Sequence, residues 1–367
     1  MRFEVPYVDF PAQFRGAARE TLAALETVLA RGEFILGEEV AAFEKEFAAL
    51  CDAEHAIGVA NGTDAIVLVL KALGVGPGDE VVTAPNSWIS TAAAIVHTGA
   101  RPVFADVGPD QNVAPAKVDA AIGPRTKALL PVHLAGRCAD MRALLEIGRR
   151  RGVPVIEDAA QAVLAKRDGG RAGSMGLAAC FSLHPLKNLN AAGDAGAITT
   201  NDAALAGKLR LLRNHGLVTR DEAAVWGFNS RLDALQAALL RFRMGQLEAI
   251  TARRRRHAAR YRERLASLVE CPMESPGELA VYHLFVIQCD RRDELKAFLE
   301  ARSIETKIHY PVPIHLQPAA AALGHERGDF PVAERQASRI LSLPVHQFLE
   351  DAQVDRVCSA IEEFYRQ

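Results

Sequence analysis

A short polar segment with a glycine and a hydroxyl follows an early apolar run of the sequence. The run is Ala56–Ala60, and the segment Asn61-Gly62-Thr63-Asp64 opens a pattern with helical spacing. The free N–H groups and positive dipole end of a helix favour phosphate, so the segment is a candidate phosphate site. Helix capping by Asn61 or Thr63 explains the same residues without a ligand.

A carboxylate and a lysine follow two later apolar runs. Asp158 comes just after Val153–Ile156, with Gln161 three residues further on, and Lys187 comes shortly after Ala179–Leu183. An acid at a strand end must be solvated, paired with a positive group or engaged in chemistry, because an isolated buried charge is costly. Helix capping or simple exposure to solvent is an alternative explanation for Asp158. Exposure is the alternative for Lys187, since most lysines are surface residues. In an open α/β sheet, however, ligands bind beyond the carboxyl ends of the strands, which is where these segments are expected.

The surrounding sequence predicts the elements that position these groups. Between about residues 55 and 200, short apolar runs alternate with stretches of helical spacing. This alternation indicates βαβ units and a largely parallel sheet covered on both faces. The predicted strands are Ala56–Ala60, Glu80–Ala84, Pro102–Ala105, Ala128–His133, Val153–Glu157, Ala179–Leu183 and Ala197–Thr200.

The pattern changes beyond residue 230, which indicates a second domain. A boundary at about residue 245 predicts domains of residues 1–245 and 246–367. The basic cluster Arg253–His257 is interpreted as a solvated helix face. The elements predicted here are a long helix at Asp233–Leu268, a loop at Pro272–Gly277, a strand at Val281–Cys289 and a helix at Asp293–Arg302.

Composition excludes several classes of protein. The 367 residues include 43 Lys+Arg and 45 Asp+Glu, a net charge of −2, so the basic field of a nucleic-acid binder is absent. With 49% hydrophobic and 24% charged residues, the chain is typical of a globular protein. The six cysteines form no CxxC pair, which favours reduced thiols over disulfides or a metal site. The start resembles no signal peptide and no apolar run is long enough to span a membrane, so we expect a cytoplasmic protein.

The candidate phosphate site, the acid and the lysine together suit pyridoxal phosphate, which needs one of each. The sequence also resembles the DegT/StrS family of pyridoxal-phosphate-dependent sugar aminotransferases over most of its length. The resemblance implies an α/β fold of PLP-dependent transferase type I, similar to aspartate aminotransferase. That fold has a large domain with a mixed, mostly parallel seven-stranded sheet, a small C-terminal α/β domain, and a homodimer. The matching stretches, in order, are ANGTDAIVLVLKALGVGPGDEVV, GARPVFADV, RTKALLPVHLAGRCADM, VIEDAAQA, CFSLHPLKNLNAAGDAGAITT, LRNHG, NSRLDALQAALL, VYHLFVI and IHYPVPIHLQP.

The resemblance also implies residue roles. Lys187 matches the Schiff-base lysine, and Asp158 matches the acid paired with the pyridine nitrogen. Trp88 matches the aromatic that stacks on the ring, and Asn229 matches a phosphate contact donated by the partner subunit. A core Trp88, a strand hydroxyl at Ser182 and an N-cap at Asn229 are the structural alternatives. The full set of implied cofactor contacts is Gly62, Thr63, Asp64, Trp88, Asp158, Gln161, Ser182, Lys187 and Asn229.

For the substrates, the resemblance implies ping-pong transfer from L-glutamate to a nucleotide-linked keto-sugar. The string Asn229-Ser-Arg-Leu-Asp233 is more similar to members that aminate C-3 of a TDP-linked 3-keto-6-deoxyhexose. A C-4 keto-sugar or keto-cyclitol aminotransferase, or a non-catalytic PLP-binding regulator, remains an alternative. At Leu183, Leu186 and Ala195 the residue differs from the one usual in the family. These differences bear on the shape of the substrate that the site accepts. Candidate substrate contacts, each with a structural alternative, are Asn86, His184, His309, Tyr310 and His315.

Overall fold

The computed structural model of the protein describes residues 3–367. The strands are β1 (His55–Val59), β2 (Glu80–Thr83), β3 (Arg101–Phe104), β4 (Thr126–Leu129), β5 (Ile156–Asp158), β6 (Lys166–Arg167), β7 (Gly170–Arg171), β8 (Ala178–Ser182), β9 (Gly196–Thr200), β10 (Phe285–Gln288) and β11 (Ile340–Leu343). The helices are α1 (Phe10–Arg15), α2 (Ala18–Arg31), α3 (Gly37–Leu50), α4 (Gly62–Ala72), α5 (Ile89–His97), α6 (Pro115–Ala121), α7 (Met141–Arg151), α8 (Ala203–Arg213), α9 (Ala234–Met244), α10 (Leu247–Leu265), α11 (Arg292–Ala301), α12 (Pro331–Arg339) and α13 (Asp351–Arg366).

All seven strands predicted between residues 55 and 200 are present, with shifted ends. They form a four-stranded sheet of order β1-β9-β8-β5 and a three-stranded sheet of order β3-β2-β4. Parallel bridges from Leu129 to Val155 and from Val132 to Asp158 join β4 to the β5 side. Strand β9 runs antiparallel to β1 and β8, while β5 and β8 are parallel. The carboxyl ends of β5 and β8 therefore lie side by side.

Helix α4 is nearly apolar all round because it packs between the sheet and other helices. Its residues Ala65 to Leu70 are all buried. Asn61 caps the helix, since its side-chain oxygen accepts the N–H of Asp64 at 2.8 Å. The structural alternative for Asn61 is therefore correct, and the cap fixes where the helix begins.

One prediction beyond residue 230 is wrong. The single helix predicted at Asp233–Leu268 is two helices, α9 and α10, separated at Gly245, a residue type that disfavours helix interiors. The strand predicted at Val281–Cys289 is present as the shorter β10. The helix predicted at Asp293–Arg302 is confirmed as α11.

The basic cluster on α10 is only partly solvated. Arg254 and His257 are buried, whereas Arg253 and Arg256 are exposed. The prediction of a solvated face fails for Arg254 because α10 packs against the segment around Tyr282 and His283, whose carbonyls accept its N–H groups.

The C-terminal part has its own apolar core. Antiparallel strands β10 and β11 pack with side chains from α10, α11 and α13. Val5 also lies in this core and pairs with Ile304 in a parallel bridge. The N-terminal segment thus packs with the C-terminal part, although sequence reasoning grouped it with residues 1–245.

Within residues 3–367, no helix is both long and apolar enough to cross a membrane. The same part of the chain brings together no group of three or more His, Cys, Asp or Glu side chains suited to a metal ion.

Candidate active site

A cavity of about 340 Å³ lies where β5 and β8 end and α4 begins. Successive strand ends of the sheet supply most of its walls, and His309 and Tyr310 of the C-terminal part complete them. Ten of the residues predicted for the site line it. They are Gly62, Thr63, Trp88, Asp158, Gln161, Ser182, His184, Lys187, His309 and Tyr310.

The start of α4 lies against the end of β8. A β-carbon added at Gly62 would lie 2.7 Å from the Ser182 β-carbon, so this contact requires glycine. The first N–H groups of a helix have no partner within it, and those of α4 adjoin the cavity with the Thr63 and Ser182 hydroxyls. This corner therefore presents hydrogen-bond donors and the positive end of a helix dipole.

Asp158 ends β5 as a buried carboxylate held by two donors. Its Oδ2 accepts the Thr91 hydroxyl at 2.7 Å, and its Oδ1 accepts the Ala160 N–H at 3.2 Å. Burial raises the pKa of Asp158, while these hydrogen bonds and the charge of Lys187 lower it. The group is positioned to pair with a positive group in the cavity.

The adjacent Glu157 points away from the cavity and has a structural role. It accepts the N–H groups of Gly173, Met175 and Gly176 within 3.0 Å, and its Oε2 lies 2.8 Å from His133 Nε2. Both side chains of the Glu157–His133 pair are fully buried. Of the two consecutive acids, only Asp158 is available for chemistry.

Lys187 follows β8 in a turn closed by its own N–H, which donates to the His184 carbonyl at 2.8 Å. Burial lowers the pKa of Lys187 to about 8, and the charge of Asp158 opposes this shift. An amine with such a pKa exchanges protons near neutral pH and is a competent nucleophile.

Aromatic and amide groups form the opposite wall. Trp88 is 56% exposed, so it is not a core residue, and its ring lies 5.4 Å from that of Tyr310. Gln161 Oε1 accepts the Ala135 N–H at 2.7 Å, and its Nε2 donates to the Tyr310 hydroxyl at 3.4 Å. Burial raises the pKa of Tyr310 to about 12, so its hydroxyl stays protonated.

Three histidines line the side near Lys187. His309 Nδ1 lies 2.8 Å from the Ser342 hydroxyl, and burial lowers the pKa of His309 to about 4. His184 is exposed, and its Nδ1 accepts the Leu186 N–H at 3.2 Å. His283, which sequence reasoning missed, completes the group.

Four predicted residues lie outside the lining. Asp64 lies in the first turn of α4, and Asn86 donates to the Gln111 carbonyl at 2.8 Å. His315 is buried against Phe330 and lies 3.0 Å from Glu334, which is its structural alternative. Asn229 is exposed, and its backbone pairs with Asn214.

Sequence reasoning also missed Thr91, which holds Asp158. Thr91 lies on α5 at three residues from Trp88, one helical turn away, and this spacing was the available signal. No local signal marks His283, since it lies within an apolar run and reaches the cavity through tertiary packing.

The residues present fit pyridoxal phosphate. The Gly62–Ser182 contact leaves a cradle that a side chain would fill, and the donors beside it suit a phosphate. Asp158 and Lys187 supply the acid and the amine that this cofactor requires.

Comparison with known proteins identifies the family of the chain. The model of the DegT/DnrJ/EryC1/StrS aminotransferase family matches residues 16–362. A dTDP-3-amino-3,4,6-trideoxy-alpha-D-glucose transaminase of Streptomyces venezuelae is 45% identical over 98% of this chain and 96% of its own. A pleiotropic regulatory protein of Geobacillus stearothermophilus is also 45% identical, over 99% of each chain. The crystal structure of S. venezuelae DesV in complex with a ketimine intermediate superposes with a TM-score of 0.97, at 44% identity and full coverage of both chains.

The chain belongs to the DegT/DnrJ/EryC1/StrS aminotransferase family. It is a pyridoxal-phosphate-dependent aminotransferase with the type I fold of such enzymes.

Proposed function

We propose that this protein transfers the amino group of L-glutamate to C-3 of a TDP-linked 3-keto-6-deoxyhexose in two half-reactions. The observation that carries the proposal is the placement of Lys187 and Asp158 in one cavity beside a phosphate-binding helix start. The sugar assignment is supported by relatives that are named as transaminases of TDP-linked 3-amino sugars.

Each residue has a defined task in this proposal. When bound, pyridoxal phosphate supplies a ring that takes up the electrons released at the substrate carbon. Gly62, Thr63 and Ser182 hold the phosphate, and Asp158 keeps a proton on the ring nitrogen. Lys187 would anchor the cofactor and, once free, would remove the proton from the α-carbon of the donor as base and then, as acid, release it to the cofactor side. Trp88 packs on the ring, and Gln161 orients it from the side of Tyr310.

Substrate contacts are proposed only for residues that line the cavity. His184 and Tyr310 provide an acceptor and a hydroxyl donor near Lys187, and His309 is neutral at physiological pH. Neutral hydrogen-bonding groups suit sugar hydroxyls. Asn86 and His315 are engaged elsewhere and are not included.

We also propose that the four-stranded and three-stranded sheets act as one mixed seven-stranded sheet in a large domain ending at residue 245. The bridges at Leu129–Val155 and Val132–Asp158 support this arrangement. The small domain then comprises residues 246–367 with the Val5 segment packed on it.

A cytoplasmic homodimer with a shared site is the proposed assembly. Trp226 is 98% exposed, and it precedes Asn229, which does not reach the cavity of its own chain. A large exposed tryptophan indicates a covered surface in the assembled protein. Further exposed apolar side chains that support an interface are Phe10, Phe14, Leu22, Leu29, Phe34, Ile35, Val225 and Phe228.

A screen of the reverse half-reaction tests this function. The cofactor-loaded enzyme is mixed with TDP- and UDP-linked 3-amino and 4-amino sugars, and the visible absorbance of the cofactor is followed. We expect bleaching with a TDP-linked 3-amino sugar. Bleaching only by 4-amino sugars or amino-cyclitols would move the assignment to those classes. Inertness towards every sugar and every amino acid would instead favour a binding regulator.

A further inference from the structure

A second, smaller cavity lies on the other side of Lys187. Its volume is about 60 Å³, and its walls share Leu186, Lys187, His283 and His309 with the larger cavity. The far wall contains Tyr7 and Arg254, one from the N-terminal segment and one from helix α10.

Arg254 is a buried cation without a charged partner. Its guanidinium donates to Gln347 Oε1 and to the carbonyls of Tyr282 and His283, all neutral acceptors. No carboxylate forms an ion pair with it among residues 3–367. Burial lowers the pKa of Arg254 to about 10, so it still carries its charge at neutral pH. An unpaired buried charge is costly, which points to an anion that completes the site.

The single acid in the lining does not meet this need. Asp9 caps α1 by accepting the Ala12 N–H at 3.1 Å, and it lies 3.6 Å from Arg15. Asp9 is thus committed to the helix start, and Arg254 remains unpaired.

Two polar atoms next to Arg254 also lack partners. The Tyr7 hydroxyl and His283 Nδ1 are buried and make no hydrogen bond within the described chain. Burial raises the pKa of Tyr7, and the nearby Ser342 hydroxyl, which also bonds His309 Nδ1 at 2.8 Å, opposes this shift. Burial and the charges of Lys187 and Arg254 hold the pKa of His283 well below its usual range, so its ring is neutral and its Nδ1 has a hydrogen-bonding site to fill. Buried polar atoms in native proteins are nearly always hydrogen-bonded, so both atoms indicate a ligand that bonds them.

We propose that this cavity, which we call the donor pocket (Tyr7, Arg254, His283), binds the distal carboxylate of the amino donor. The inference rests on the proposed function and deepens it by assigning the donor class. A carboxylate would accept the Tyr7 hydroxyl and be stabilised by Arg254, which supplies the missing negative charge. The volume holds a carboxylate or a few waters, but it excludes a sugar ring.

The chemistry of the pocket also distinguishes between donors. Glutamate and glutamine differ only in the distal group, and an uncompensated cation favours the carboxylate over the amide. We therefore expect the half-reaction to prefer glutamate over glutamine, and both over alanine, which has no distal group.

Tyr7→Phe tests the donor pocket with little structural risk, because it keeps the aromatic ring and removes only the hydroxyl. We expect the kcat/KM of the glutamate half-reaction to fall about tenfold, with a smaller fall for glutamine and none for alanine. Tyr365→Phe is the matched control and should match wild type. It removes a hydroxyl that donates to the Asp290 carbonyl at 3.2 Å and does not line the donor pocket. Equal losses for all three donors, or no loss for glutamate, would overturn the assignment.

Binding without chemistry provides a second readout. Titration calorimetry with glutarate, against butyrate as the monocarboxylate, should show glutarate binding weakened about tenfold in Tyr7→Phe and lost in Arg254→Met. Circular dichroism and retained cofactor absorbance check that Arg254→Met is folded. If it is not folded, the glutarate affinity of Tyr7→Phe alone tests the donor pocket. Glutarate binding that is unchanged in Tyr7→Phe contradicts the pocket. The wild-type reaction with amino-sugar nucleotides is scored separately, so a failed sugar assignment is not confused with a failed donor pocket.

Discussion

Burial lowers the pKa of Lys187 to about 8, against the opposing charge of Asp158. In the proposed function, replacing it removes both the cofactor anchor and the group that moves the proton. We expect Lys187→Ala to lose turnover by more than about 10³-fold and to lack the visible absorbance of the bound cofactor. Lys208→Ala, at an exposed position on α8, is the control and should behave as wild type. Sustained turnover in Lys187→Ala would refute the role.

The shifted pKa of Lys187 also makes a prediction about stability. The folded value of about 8 lies below the ordinary value of 10.5, so between these pH values the unfolded chain binds more protons than the folded apoprotein. Stability rises with pH wherever the unfolded state binds more protons. In urea unfolding of the cofactor-free protein, wild type should therefore gain stability relative to Lys187→Met as the pH rises from 8 to 10.5. A constant difference between the two proteins would show that Lys187 is not desolvated.

Thr91 is a positioning residue for Asp158. Its hydroxyl donates to Oδ2 at 2.7 Å in a buried setting, and removing it leaves a charged oxygen with one fewer donor. Thr91→Val should lower the free energy of unfolding by about 1.5–3 kcal/mol and speed cofactor dissociation. Thr98→Val is the matched control at the C-cap of the same helix, since that hydroxyl donates to the Ile95 carbonyl at 2.7 Å, accepts the Ala100 N–H at 3.3 Å and makes no contact with Asp158. The control should lose stability without faster cofactor release. Equal release rates in the two variants would make Thr91 merely structural.

At the scale of the elements, apolar runs marked all seven strands of the sheet region. For this reason the sequence alone predicted that Asp158 and Lys187 lie together at strand ends. Arg254, Thr91 and His283 could not be placed in this way. Each lies on an element whose local pattern predicts an ordinary helix face or strand, and only tertiary packing turns it towards the site. The prediction of a solvated Arg254 failed for this reason.

The contact between the start of α4 and the end of β8 positions the N–H groups and hydroxyls that are proposed to bind the phosphate. A side chain at Gly62 would overlap Ser182, so Gly62→Ala must displace the start of α4 from the end of β8. We expect a loss of about 1–3 kcal/mol in the free energy of unfolding and weaker cofactor binding, measured by dialysis against limiting cofactor. Gly207→Ala is the control, because nothing lies within 4 Å of an added β-carbon there and alanine favours its helix. Unchanged cofactor affinity in Gly62→Ala would separate this contact from phosphate binding.

At the scale of the whole molecule, the proposed homodimer makes the site of a single chain incomplete. Asn229 and Trp226 project from a loop that does not contact the cavity of its own chain. In a two-fold dimer, the same loop of each subunit can reach the other subunit's cavity. The proposed assembly therefore makes dimerisation a condition of cofactor retention, and not only of stability.

Subunit mixing tests this sharing directly. Lys187→Ala and Asn229→Ala should each be impaired, the second by losing cofactor when cofactor is limiting. In a mixed dimer both changes affect one cavity, whereas the other cavity combines an intact Lys187 with an intact partner Asn229. Random exchange of subunits should thus restore about one quarter of the wild-type sites, measured as visible absorbance and turnover under limiting cofactor. Mixing Lys187→Ala with a Lys187→Ala, Asn229→Ala double variant is the control and should restore nothing. If exchange is verified by tagged subunits and no activity returns in the first mixture, Asn229 does not act across the interface.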